Sequence, residues 1–203
     1  PSSAAFPIVA ALLTPNSKIT LKNICVNNLR TGLFTTLIEM GGKIKIYNKR
    51  KVCGEEIADI TAETSSLIGV NIPEARSPTM IDEFPILSIA ACFAKGNTTM
   101  NGIKDLRNKE TDRIKEIEDN LKKLQVKISS YDNKMIIEGT GKNQLKGGIE
   151  IDSKLDHRIA MSFLCLGLVC KEPIVVKNAE TINSSFPNFF ESMKNIGAKF
   201  DNL

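Results

Sequence analysis

Tryptophan is absent from the 203 residues, tyrosine occurs twice, and aromatic side chains make up 5% of the chain. Surfaces that hold nucleic acid combine clustered Lys and Arg with aromatic rings on which bases stack. Here 27 Lys and Arg face 23 Asp and Glu, and the net charge of +4 is scattered along the sequence. Nucleic acid is therefore excluded as an expected partner. Cysteine is scarce and without pattern: Cys25, Cys53, Cys92, Cys165 and Cys170 form no C-x-x-C pair and are odd in number. The single histidine, His157, completes no zinc-finger spacing with them, so no metal site is expected. Thiols without a disulfide framework fit a reduced, cytoplasmic compartment. Cys92 and Cys165 lie inside apolar runs and read as small buried hydrophobes. Long apolar runs are missing too. Ile159 to Cys170, at 12 residues, is the longest, against the ~20 that a membrane span needs, so no membrane contact is expected. The chain opens at Pro1 with neither Met nor a signal-peptide pattern and reads as the middle of a longer chain.

The hydrophobic share is 42%, in a length that suits one large domain or two small ones. Such a chain buries about 70% of its unfolded surface, so disorder is excluded as its main state.

A threefold repeat organises the chain. Three compact apolar runs each follow a polar residue in the position of a helix cap: Ser3 leads Ala4 to Leu13, Asp82 leads Phe84 to Ala94, and Asp156 leads Ile159 to Cys170. A short β-branched segment ending in Asn comes next in each unit, at Ile19 to Asn23, Thr98 to Asn101 and Ile174 to Asn178. A second helix follows, over Arg30 to Met40, Thr111 to Leu124 and Phe186 to Ile196, each with apolar residues on one face. The first two units continue into strand pairs. One starts at Lys43 to Ile46 with a turn near Asn48 to Lys51; the other starts at Val126 to Ser129 with a turn near Tyr131 to Lys134. The third unit stops at Leu203, just after Ala198 to Phe200 begins its strand. One domain, 1–203, made of repeats 1–78, 79–153 and an incomplete 154–203, is the expectation. The first helix of each unit is apolar nearly all round and must be buried, while the second has a polar face and lies outside. The predicted fold is a pseudo-threefold, inside-out α/β barrel, with three buried helices surrounded by strands and amphipathic helices.

Two clusters could carry chemistry. Asp156, His157 and Arg158 stand together at the start of a buried helix, where orphan N–H groups and the helix dipole favour anions. Asp82 and Asp156 could simply cap their helices, and Arg158 requires either an acidic partner or an anionic ligand. The second cluster is Leu106-Arg107-Asn108-Lys109-Glu110-Thr111-Asp112-Arg113. With Thr111 as helix cap, Arg107, Lys109 and Arg113 gather at a helix start that attracts phosphate or carboxylate, unless the run is merely a solvated surface. Placed on one rim, the two clusters would offer Lys109, Arg113 and Arg158 to a small, multiply charged anion, with Asp82 and Glu110 as proton-transfer groups. No P-loop, G-x-G-x-x-G, activated nucleophile or metal cluster competes with this reading.

These strings resemble the 3-phosphoshikimate 1-carboxyvinyltransferase (5-enolpyruvylshikimate-3-phosphate synthase) family over essentially the whole chain. The resemblance rests on Ser2-Ser3-Ala4-Ala5-Phe6, Arg30-Thr31-Gly32, Ile81-Asp82-Glu83-Phe84-Pro85, Leu106 to Arg113, Asp156-His157-Arg158-Ile159-Ala160-Met161 and Ser185-Phe186-Pro187. The Ile81 to Pro85 and Arg30 to Gly32 pieces resemble its glyphosate-tolerant branch. The resemblance implies an enolpyruvyl transferase fold and transfer of the enolpyruvyl group from phosphoenolpyruvate to the 5-hydroxyl of shikimate 3-phosphate. Phosphate is released, no metal or cofactor is used, and the product feeds chorismate and aromatic amino acid biosynthesis. It further implies that Asp82 is the base for the 5-hydroxyl and contacts the shikimate ring. Lys109 bridges the substrates and Glu110 moves protons at the methylene carbon. Arg113 and Arg158 hold phosphoenolpyruvate, with Asp156 and His157 in the same binding site. A Lys that many relatives carry before the Phe-Pro pair falls here at Asn183 or Ser184, and Asn108 stands where Val is usual.

Family enzymes have two domains that close on the substrates and act as monomers. This chain resembles the second domain, so the implied partner is an N-terminal half, whose extreme N-terminus also completes this domain. Two alternatives differ in class: a non-catalytic product of a split gene, and the sister transferase acting on UDP-N-acetylglucosamine, which lacks the Lys109 to Arg113 and Asp156 to Arg158 strings.

Overall fold

The computed structural model describes residues 1–141 and 144–201. The first apolar run forms α1 (Ser2–Leu13), followed by β1 (Lys18–Cys25), α2 (Gly32–Glu39) and a hairpin of β2 (Lys43–Val52) and β3 (Glu55–Glu63). A short strand, β4 (Asn71–Ile72), leads to α3 (Phe84–Cys92), β5 (Lys95–Asn101), α4 (Arg113–Lys123) and the hairpin of β6 (Lys127–Ser130) and β7 (Lys134–Thr140). The last part holds β8 (Glu150–Asp152), α5 (His157–Gly167), β9 (Val175–Lys177), α6 (Ile182–Ser185) and α7 (Phe189–Asn195).

Every residue of α3 is buried, as is α1 from Ala4 to Leu12, because these helices have no polar face to show to water. α1, α3 and α5 touch one another pairwise at the centre. Sheets cover them: α1 meets β1 and β3, α3 meets β7, and α5 meets β9. α4 is amphipathic, with Ile114, Ile117 and Leu121 facing inward. Helices inside and strands outside make the expected inside-out α/β barrel. Each fully buried Leu, Ile or Phe on the central helices contributes about 1.5–3 kcal/mol. A ring cluster fastens the last helix: Phe189 on α7 stands edge-on to Phe6 of α1, with centroids 6.1 Å apart, and is flanked by Phe186, Phe190 and Phe200.

The three sheets run β1-β3-β2, β4-β5-β7-β6 and β8-β9. β4 and β8 lie parallel to β5 and β9 and link successive parts of the chain. At two and three residues they carry no period for sequence reading to detect.

Several boundaries move from expectation. α1 starts at Ser2 without a side-chain cap, so Ser3 does not cap it. The Arg30 to Met40 helix resolves into a 3₁₀ turn over Asn28–Arg30 and then α2. Asn48 to Lys51 is no turn. β2 runs through it with a bulge at Asn48 (φ 52°), and the hairpin closes at Cys53 and Gly54, both at positive φ. The turn near Tyr131 to Lys134 is where expected, closed by the Tyr131 N–H donating to the Lys134 carbonyl. The helix cap of α4 is Asp112, which accepts from the Lys115 N–H, and not Thr111. The Phe186 to Ile196 helix shortens to α7, and α6 is a separate turn before it; Phe186, ahead of Pro187, leaves the helical region (φ −141°, ψ 76°) and parts the two. Ala198 to Phe200 forms no strand among the described residues, and Leu203 lies outside them.

β7 crosses so close to the end of α3 that a Cβ at Gly139 would overlap the carbonyl oxygens of Ala91 and Ala94. Main-chain atoms cannot rotate away. Gly139→Ala is therefore expected to cost about 2–3 kcal/mol and to lower the melting temperature by roughly 5–10 °C. Circular dichroism melts check this, and an unchanged melting temperature would show that β7 can slide off α3.

Candidate active site

One end of the barrel collects the starts of α3, α4 and α5. A 3₁₀ turn over Ile81–Glu83 runs into α3 and carries Asp82; its side chain makes no helix-cap bond. Asp156 caps α5, its Oδ1 accepting from the Arg158 and Ile159 N–H groups at 2.9 and 3.3 Å. Lys109 and Glu110 lie on the loop entering α4, whose first residue is Arg113.

Arg113 joins the three elements. Its Nε donates to Asp156 Oδ2 at 2.8 Å, its Nη1 to Asp82 Oδ1 at 3.0 Å, and its Nη2 to Glu110 Oε2 at 2.5 Å. Lys109 Nζ reaches the same Asp82 oxygen at 3.1 Å. Arg158 Nη1 donates to the Asp82 carbonyl at 2.8 Å, while its Nη2 lies 3.9 Å from Asp82 Oδ2. His157 Nδ1 is 3.7 Å from Glu110 Oε1. Exposure sorts these groups by depth. The side chains of Arg113 and Asp156 are 1% and 0% exposed, Arg158 and His157 are 13% and 15% exposed, and Asp82 and Glu110 reach 33% and 46%. The groups able to meet a ligand at the surface are thus two carboxylates, with Lys109 beside them, over a floor of guanidinium groups. Such a floor holds phosphate or carboxylate through charge-assisted hydrogen bonds.

Of the residues singled out in the sequence, Asp82, Lys109, Glu110, Asp156, His157 and Arg158 gather around Arg113. Asp156 lies deepest, and all its donors come from the protein, including Thr111 Oγ1 at 3.1 Å. It therefore braces Arg113 and caps α5 together, and offers no open face to a ligand. Arg107 leaves the cluster. It pairs with Asp112 at 2.8 Å and donates to the Tyr131 and Asp132 carbonyls, tying the loop to the β6–β7 turn. Asn183 and Ser184 are exposed on α6, the Ser184 hydroxyl donating back to the Thr181 carbonyl, and neither bonds to the cluster among the described residues. Sequence reading missed Glu83, whose buried side chain lies 3.5 Å from Arg158 Nη1. Its signal was present: a charged residue at the mouth of a wholly apolar helix.

A family model described as EPSP synthase (3-phosphoshikimate 1-carboxyvinyltransferase) matches residues 1–193, a span that contains the whole cluster. The chain belongs to the EPSP synthase family. A 3-phosphoshikimate 1-carboxyvinyltransferase from Parvibaculum lavamentivorans is 49% identical over 200 residues, covering 98% of this chain and 44% of that protein. One from Bartonella henselae is 45% identical over 199 residues, covering 98% of this chain and 45% of that protein. The solved EPSP synthase from Acinetobacter baumannii superposes with a TM-score of 0.93 at 41% identity, covering 97% of this chain and 45% of that one. The enolpyruvyl transferase NikO from Streptomyces tendae, at 15% identity and a TM-score of 0.75, shares the fold over 98% of this chain and 43% of its own. The chain thus spans less than half the length of these EPSP synthase relatives.

Burial pushes the Asp82 carboxyl up, but Arg158, Lys109 and Arg113 outweigh it and hold its pKa below the usual carboxylate range. His157 is lowered by burial first and by Arg158 next, against the opposing pull of Glu110 and Asp156, so the neutral imidazole is favoured. For Asp82 the sign is that of a depressed acid: its stabilisation is complete above the unfolded pKa and is lost as pH falls through the folded one. The unfolding free-energy difference between the wild type and Asp82→Asn should stay constant from pH 7 to about 4 and shrink below that. Urea denaturation across that range measures it. A difference that persists unchanged at pH 3 would show that the three cations do not hold the carboxylate.

Proposed function

We propose that this chain is the C-terminal half of an EPSP synthase and supplies about half of its active site. The reaction is addition of the shikimate 3-phosphate 5-hydroxyl to C2 of phosphoenolpyruvate, followed by elimination of phosphate. The observation that carries this reading is the meeting of Asp82, Lys109, Glu110, Arg113 and Arg158 on one rim.

In the first step Asp82 accepts the 5-hydroxyl proton as the new C–O bond forms, and Glu110 delivers a proton to the methylene carbon. Asp82 suits the task because nearby cations keep it ionised. In the second step Glu110 takes a proton back from the methyl group as the C–O bond to phosphate breaks and the double bond re-forms, and the phosphate leaves with the proton that Asp82 had taken. Arg113, Arg158 and Lys109 stabilise the phosphate and carboxylate charges throughout, and the convergent helix starts add their dipoles. His157, kept neutral, offers Glu110 a hydrogen-bonding neighbour without a competing charge.

The second half of the site belongs to an N-terminal domain, and the complete enzyme works as a monomer in the cytoplasm. Two features support the second half, while the monomeric state and the compartment follow from the family resemblance. The chain covers 44% and 45% of the relatives it matches. The β8-β9 sheet has two strands, where the β4-β5-β7-β6 sheet has four. Residues 1–203 then form one domain of three repeats, 1–78, 79–153 and 154–203, the last finished by the partner half.

The purified chain should release no measurable phosphate from phosphoenolpyruvate and shikimate 3-phosphate. Adding an N-terminal half from a relative should restore turnover, and activity from the chain alone would overturn the two-half reading. In the restored enzyme, Asp82→Ala and Glu110→Gln should each lower kcat by roughly 100-fold or more, with smaller changes in KM. Unchanged kcat in both variants would remove the proton-transfer roles.

A further inference from the structure

The site end of the barrel holds a carboxylate that the proposed reaction leaves unused. Glu83 follows Asp82 in the same 3₁₀ turn, and its side chain is 6% exposed. Its Oε1 is buried without a hydrogen-bond partner among the described residues. The ion pair it makes there is with Arg158, whose Nη1 lies 3.5 Å from that oxygen. A buried carboxylate with an unsatisfied oxygen destabilises a fold. An apolar side chain of similar length would seal this position better, since Phe84, Pro85 and Ile86 beside it are all buried. Apolar packing therefore gives no reason for the charge, and the cations it faces are Arg158 and the Pro1 amino group.

The geometry of Arg158 gives one. Its Nη1 edge is fixed twice, by a 2.8 Å hydrogen bond to the Asp82 carbonyl and by the charge of Glu83 behind it. Its Nη2 lies 3.9 Å from the Asp82 carboxylate, on the side of the site, beyond hydrogen-bonding distance. Arg113 is built on the same plan, with the fully buried Asp156 behind it and the more exposed Asp82 and Glu110 in front. We propose that Glu83 is a positioning residue for Arg158: its buried carboxylate holds the Nη1 edge so that the Nη2 edge is presented to an anionic substrate. This rests on the reading that Arg158 binds the phosphoenolpyruvate anion.

Glu83→Gln keeps the shape and removes the charge, and Glu83→Met removes the polar group as well. Nitrogen-15 NMR of the chain reads the orientation without any ligand: Arg158 side-chain N–H groups should exchange with water several-fold faster in both variants. The apparent Kd for phosphoenolpyruvate, titrated onto the same samples, should weaken about fivefold or more. The melting temperature should stay level or rise, because a buried carboxylate with an unsatisfied oxygen has been removed while Arg158 keeps Asp82 as counter-charge. Unchanged Arg158 exchange in both variants overturns the proposal. So does a fall in melting temperature with unchanged exchange, which would make Glu83 a structural group. Arg158→Gln separates the two readings. If it leaves phosphoenolpyruvate affinity intact, the anion-binding assignment fails, while the ligand-free exchange still decides what Glu83 does.

Discussion

A guanidinium that is 1% exposed must be met by opposite charge, since an uncompensated buried ion costs several kcal/mol. Arg113 is met by three carboxylates that come from 43, 31 and 3 residues away in sequence. The start of α4, the turn before α3 and the start of α5 are thereby set relative to one another through one side chain. The requirement also divides the carboxylates by role. Asp156, wholly buried and saturated with donors, has no freedom to leave, whereas Glu110 is the most exposed of the three and loses least by changing partners.

The central helices make this convergence possible. Helices that are apolar on nearly all sides must be covered by one another and by the sheets, and α1, α3 and α5 meet at the centre with α3 and α5 starting at the same end. Polar residues at those starts are then collected without any sequence signal that relates them. The outer sheets carry the opposite constraint. In two of them a strand from the preceding part of the chain pairs in parallel with the first strand of the next, β4 on β5 and β8 on β9. The β1-β3-β2 sheet has no such strand beside β1 among the described residues.

Features that depend on local period or on a specific string were legible. The three apolar helices, the amphipathic face of α4 and the β6–β7 turn follow from residues within a few positions of one another. Where a local signal had two physical outcomes, the contacts chose. Asn48 suits either a turn or a bulge, and pairing of β2 with β3 on both sides of it made the bulge. Thr111 and Asp112 were both capable caps; Asp112 took the Lys115 N–H, and Thr111 was drawn to Asp156. Arg107 looked equivalent to Lys109 until the β6–β7 turn presented two carbonyls to it. Glu83 was hidden by its neighbour Asp82, because only burial distinguishes the half-exposed carboxylate from the one sunk beside Arg158.

By itself the sequence determined which helices must be buried, which residues carry charge at their starts, and which family those strings resemble, since each depends on residue identity and short spacing. Only the tertiary structure decided that three separated carboxylates share one guanidinium, that Asp156 supports the site from beneath, and that Arg107 leaves it. Those outcomes depend on which charges lose their water together, and desolvation is a property of the folded surface that no stretch of chain possesses alone.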